Sequence, residues 1–180
     1  MGKVLDSIDE DLADWIEAQP VFFVATAPSG ADGHVNLSPK GYDTLRVLDD
    51  HTVAYLDLTG SGVETIAHIR ENGRITLMVC AFAGPPRIVR LQCTGDVVER
   101  GHEEWPELLR HFPDRPGARA VIRARVDRLS SSCGFSIPFM DYVSERTTLD
   151  EWSGRKPDAD LVAYRAEKNA FSIDGLPGLA

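Results

Sequence analysis

The stretch from Thr52 to Phe82, TVAYLDLTGSGVETIAHIRENGRITLMVCAF, leaves the chain few choices of fold. Val53, Tyr55 and Asp57 alternate with Ala54, Leu56 and Leu58 in a segment rich in strand formers. Thr59-Gly60-Ser61-Gly62 breaks that strand. Ser61, with Glu64 three residues on, fits a capping box that opens a helix. Val63, Ile66, Ala67 and Arg70 share one helical face, and Asn72-Gly73 is a stop. Ile75 to Phe82 is an almost unbroken apolar run, which suits a strand buried on both faces.

A turn of Gly and Ser at a helix start leaves backbone N–H groups free at the positive end of the helix dipole. The spacing is compatible with two readings. One is a plain capped turn; the other is a seat for a phosphate or a carboxylate.

The segments on either side set the architecture. Ser7 and Glu10 read as a capping box, and Ile8, Leu12, Trp15 and Ile16 as the apolar stripe of an amphipathic helix. Val21 to Thr26 is a strand, Pro28 to Gly33 a turn, and His34 to Leu37 the return strand, which Ser38-Pro39-Lys40-Gly41 ends or bends. Leu45 to Leu48 is a short strand. Arg87 to Glu99 is a long one, with Gly95 marking a bulge or bend. Glu103 to Phe112 is a short helix. Ala120 to Leu129 alternates apolar residues with arginines, as a half-exposed strand does, and Ser130 to Gly134 breaks it. Phe135 to Ala180 reads as a tail with short helices around Thr148–Trp152 and Asp158–Asn169. Six or seven strands with one central crossover helix imply a mainly β fold: a partly open antiparallel β-barrel with peripheral helices. One domain over residues 1–180 is expected, with its core over about 20–130.

Charge and motifs narrow the function. A net charge of −9 disfavours a nucleic-acid partner. No apolar run approaches the roughly 20 residues that span a bilayer. Cys80, Cys93 and Cys133 form no CxxC, and the start of the chain lacks a secretory apolar region, so a cytoplasmic protein is expected. No Walker loop, GxGxxG, HExxH or GxSxG is present, and the histidines show no metal-ligand spacing. His68 reads as a helix-surface residue. Lys40, Arg46, Arg74, Arg87 and Arg90 lie at strand ends or on strands neighbouring the central unit, and at least one is expected to line a cleft.

The string His34-Val-Asn-Leu-Ser-Pro-Lys-Gly41, the SGVET turn and helix, Asn72-Gly73-Arg74-Ile75, and Phe82-Ala-Gly-Pro-Pro-Arg-Ile form a recognisable set. Over about Phe22 to Val98 the chain resembles the pyridoxamine 5′-phosphate oxidase-related family of FMN-binding split barrels. The resemblance implies a six-stranded antiparallel split β-barrel and a homodimer with flavin mononucleotide at the subunit interface. It implies oxidoreductase chemistry on a small-molecule substrate. It also implies a cofactor phosphate around Thr59, Ser61, Gly62 and Val63, and ring contacts along Leu56, Asp57 and Leu58 and along Asn36, Ser38 and Lys40; in this chain Lys40 or Arg74 is expected to help hold the phosphate. The chain departs from the family where Ser61-Gly62-Val63 replaces Ser-Arg-Lys, and where Asn36 replaces an arginine. Two rivals follow: a deazaflavin-dependent reductase on the same barrel, and a cofactor-free or haem-binding barrel that is not an enzyme.

Overall fold

Antiparallel pairing carries most of the chain. The computed structural model describes residues 2–179; Met1 and Ala180, the ends of the expected domain, lie outside them. The described residues form eight strands: β1 (Lys3–Leu5), β2 (Phe22–Thr26), β3 (Asn36–Lys40), β4 (Leu45–Asp49), β5 (Thr52–Leu58), β6 (Arg74–Cys80), β7 (Ile88–Glu99) and β8 (Ala118–Ser132). Among the described residues five helices accompany them: α1 (Glu10–Glu17), α2 (Glu64–Asn72), α3 (Trp105–Leu109), α4 (Thr148–Gly154) and α5 (Asp158–Lys168). The strand order is β3-β2-β6-β7-β8-β5-β4, with β1 added to β8. The sheet is mainly antiparallel and unclosed, with β3 and β4 at its two ends.

Eight strands stand where the resemblance implied six. β1 is three residues long and has no apolar period to announce it. β8 runs on through the serines read as a break, because Ser130 and Ser131 pair with β1 on one side and Ser130 to Ser132 with β7 on the other. Pro39 stays inside β3, an end strand whose outer edge needs no donor. The bulge in the long hairpin lies at Gln92/Cys93, not at Gly95. The Gly95 N–H instead donates to the Gly73 carbonyl at 2.8 Å, which ties β7 to the end of α2.

The helix caps also differ from the sequence reading. Asp9, not Ser7, caps α1: its carboxylate accepts from the Leu12 N–H at 2.9 Å. α2 begins at Glu64 with Val63 as its N-cap and no side-chain bond, and Ser61 lies exposed outside the helix. Asn72-Gly73 does end α2, with Gly73 in the left-handed conformation at φ 72°.

The core follows from these elements. Leu12 and Ile16 of α1 and Ile66 and Ile69 of α2 bury against the inner faces of β2, β6, β7 and β8. Each such side chain contributes roughly 1.5–3 kcal/mol by leaving water. A smaller cluster forms on the other face of β5 and β8, where Leu56 and Val121 meet Leu108 and Phe112 at α3. After α5 the chain folds back, and Leu179 enters the main core beside Val63.

Candidate functional site

Strand alternation sets the first element of the site. On β5, Val53, Tyr55 and Asp57 share a face, so the strand's apolar row ends on a carboxylate that is 1% exposed. A buried charge needs partners. Lys40, at the end of β3, places Nζ 2.9 Å from Asp57 Oδ1. Arg119 donates from Nε to Asp57 Oδ2 at 2.6 Å.

Arg119 reaches Asp57 because β8 bulges there. Asp57 pairs with Ala120 and Leu58 with Ala118, which leaves Arg119 as an extra residue between them. A bulge re-aims a side chain without ending the sheet, and this one turns a guanidinium inward to 6% exposure. Arg119 also donates from Nη1 to Asn169 Oδ1 at 2.8 Å and from Nη2 to the Gly62 carbonyl at 2.9 Å. It therefore joins β5, the C-terminal segment and the turn before α2. Burial alone would push the Asp57 carboxyl up; the charges of Lys40 and Arg119 and their hydrogen bonds outweigh it and hold the group below the usual range.

A hydrogen-bonded row forms the opposite side. Asn36 donates through Nδ2 to Thr26 Oγ1 at 3.1 Å and Thr65 Oγ1 at 3.0 Å, and accepts from Ser38 Oγ at 3.0 Å. Thr26 Oγ1 in turn lies 3.0 Å from His68 Nδ1. His68 is fully buried, not on the helix surface, because α2 is short and lies across β2, β6 and β7. Burial pushes its imidazole down, although Asp174, Glu64 and Glu71 oppose this, so the ring is neutral near pH 7.

Asn36, Ser38 and Thr65 of this row, with Lys40, Asp57 and Arg119, line a cleft of about 290 Å³. Its open end is the start of α2. The first intrahelical bond runs from the Ala67 N–H to the Val63 carbonyl, so Glu64, Thr65 and Ile66 have N–H groups with no helix partner. Amide donors, a helix dipole and two cations suit an anion such as a phosphate. The Glu64 carboxylate is held by the tail, accepting from the Ile173 N–H at 3.3 Å. Among the described residues no group of three His, Cys, Asp or Glu could hold a metal ion.

The structure sorts the residues expected from the sequence. Asn36, Ser38, Lys40 and Asp57 line the cleft, and Leu58, Gly62 and Val63 form its floor and turn. Leu56 and Thr59 face an adjoining hollow of about 260 Å³ instead. Ser61 is exposed and does not line the cleft. Arg74 is elsewhere: it bonds Asn72 Oδ1 and the Pro28 carbonyl and lines a different hollow with Thr26 and Asp127. Of the other cations, Arg46 pairs with Asp43, Arg87 stacks over Trp15 at 4.9 Å, and Arg90 bonds Ser132. Sequence reasoning missed Arg119, Thr65 and Asn169. Arg119 sits in a strand pattern in which every other arginine points outward, and its only cue is the pair of small neighbours Ala118 and Ala120.

Comparison with known proteins fits this geometry. A family model described as pyridoxamine 5′-phosphate oxidase matches residues 8–133. The pyridoxamine 5′-phosphate oxidase family protein ustO of Aspergillus flavus is 38% identical over 193 aligned residues, covering 97% of this chain and 76% of the relative. Among solved structures, HupZ of group A Streptococcus is similar at TM-score 0.53, with 24% identity over 68% of this chain and 91% of that one. A pyridoxamine 5′-phosphate oxidase-like protein of Lactobacillus delbrueckii also scores 0.53, with 22% identity over 71% of this chain and 98% of that one. The two structures share the fold.

Proposed function

Because the chain belongs to the pyridoxamine 5′-phosphate oxidase family, we propose that it is a flavin-dependent oxidoreductase acting on a small-molecule substrate. Flavin mononucleotide would occupy the cleft at the start of α2. The observation that carries this reading is that Lys40 and Arg119, which meet on Asp57, line the same cleft as Glu64 and Thr65 at the start of α2, which no side chain caps. The N–H groups of Glu64 and Thr65 would bond the phosphate, with Lys40 balancing its charge. Asn36 and Ser38, already fixed by Thr26 and Thr65, would meet the polar edge of the ring. Leu58 offers an apolar surface beside them. The flavin supplies the hydride chemistry; the protein orients it and excludes water.

A homodimer is part of the same reading. Phe135, Phe139, Met140, Tyr142 and Val143 are all exposed along one segment, and a second copy of the chain would cover them. A cytoplasmic setting suits the free cysteines, of which Cys133 is exposed.

The test is a titration of the purified protein with flavin mononucleotide, followed by visible absorbance and flavin fluorescence. Quenching and a shifted visible band are expected. Colourless protein with no quenching removes the flavin reading. One observation favours a rival, a barrel that binds another planar ligand such as haem: Asp57 already neutralises part of the charge of Lys40 and Arg119. Parallel titration with haem separates the two. A deazaflavin reductase needs a broader basic groove for its acidic cofactor tail, and the same assay with that cofactor decides it.

A further inference from the structure

Resting on the flavin reading, we propose that Arg119 supplies the phosphate-binding charge that the turn before α2 lacks, and that Asn169 is the residue that positions it. The turn reads Ser61-Gly62-Val63 and contains no cation. An anion at the start of α2 must therefore find its counter-charge on another element. β8 provides it. The bulge between Ala118 and Ala120 brings the Arg119 guanidinium onto the Gly62 carbonyl, in the cleft that α2 opens into. Three of its five N–H groups are engaged, by Asp57, Asn169 and Gly62. The other two are available to an acceptor.

The C-terminal segment fixes that geometry. Asn169 is completely buried and uses both ends of its amide: Oδ1 accepts from Arg119, and Nδ2 donates to the Gly60 carbonyl at 3.0 Å. Its own carbonyl accepts from the Leu179 N–H at 2.7 Å. One side chain thus ties the arginine to the turn, and the main chain ties that side chain to the core. A second cation stands behind the same turn. Arg165 donates from Nε to Thr59 Oγ1 at 2.9 Å. It has no carboxylate within salt-bridge distance among the described residues, and burial together with the nearby Arg100 and Arg119 disfavours its charge more than Asp158 favours it. A bound anion relieves that repulsion. In a chain of net charge −9, Lys40, Arg119 and Arg165 gather about this turn against the Asp57 and Glu64 carboxylates, where the turn itself has no cation.

The test compares flavin mononucleotide with riboflavin, which lacks the phosphate. Dissociation constants come from fluorescence quenching of the full-length protein, and their ratio isolates the phosphate. Wild type should prefer flavin mononucleotide. Arg119→Met should lower that preference at least tenfold and flatten the salt dependence of binding. Asn169→Ala should lower it by a smaller factor, about three- to tenfold. Asn169→Asp sets a carboxylate against Arg119 and should reduce the preference as far as Arg119→Met does. Riboflavin affinity should stay within twofold in every case, a result that general loosening of the fold would not give. If Arg119→Met does not fold, the two Asn169 variants, which keep the arginine, decide the matter. Equal losses for both ligands, or an unchanged ratio in folded Asn169 variants, overturns the proposal. Wild type that binds both flavins equally well overturns this proposal and the phosphate contacts of the proposed function, and leaves a flavin-dependent protein. Wild type that binds neither overturns the flavin reading as well.

Discussion

Asp57 shows how one residue organises the site. It is a carboxylate at the end of an apolar strand face, and burial would expel its charge unless cations met it. Lys40 and Arg119 do so, one on each oxygen. Removing one member of a buried ion cluster leaves the others unpaired, so Asp57→Asn should cost about 3–5 kcal/mol in urea unfolding. The pH dependence has a definite sign. The folded carboxyl lies below its ordinary value of 3.8, so it adds stability wherever both states are ionised. That stability is lost as pH falls below 3.8 and through the lower folded value, and the acid limb of the unfolding curve should flatten in Asp57→Asn. His68 behaves differently. Its folded value lies below the ordinary 6.5, so the unfolded chain takes up a proton that the buried ring resists. Stability is complete above 6.5 and declines as pH falls below it. His68→Gln should remove that slope below pH 6.5, as read by unfolding free energies at each pH. Asp57 was legible as a strand residue near the site. The burial of His68 was not, because a helix of nine residues shows no clear polar face when a sheet covers most of it.

The elements that hold the site are legible to different depths. Strand, turn, α2 and β6 follow from periodicity and from Asn72-Gly73, and the structure keeps them within a residue or two. The cap did not follow, because the turn is held by the C-terminal segment and not by Ser61. Gly178 marks that contact. A Cβ there would press within 2.7 Å of both Val63 methyls and would also meet the Asn169 carbonyl oxygen. Gly178→Ala should therefore destabilise the protein by about 1–3 kcal/mol, the usual cost of overpacking. It should also expose the segment after α5 to limited proteolysis. Digestion unchanged from wild type would mean that the segment can shift without releasing the turn. The bulge at Arg119 left no trace in the sequence, since a register shift depends on both strands.

At the scale of the whole molecule, the unclosed sheet carries its candidate site where its two ends approach each other: β3, one end strand, meets β5, the neighbour of the other end strand β4, across the cleft. The exposed apolar segment from Phe135 to Val143 supports the proposed dimer. Phe135→Asp combined with Phe139→Asp should lower the mass seen by light scattering from about twice 19.8 kDa to 19.8 kDa. A double variant that keeps the wild-type mass would place the interface elsewhere. Hydrophobic period, turn residues and Gly73 determined the element order and the mainly β architecture, because these depend on near neighbours in the chain. Tertiary structure alone decided which cations meet Asp57. Arg74 and Arg46 lie near the central unit in sequence yet serve other contacts, while Arg119 and Asn169 come from β8 and the C-terminal segment. The physical reason is that a buried charge takes its partner from whatever the packed elements bring within about 3 Å, and strand register sets that distance, not sequence separation.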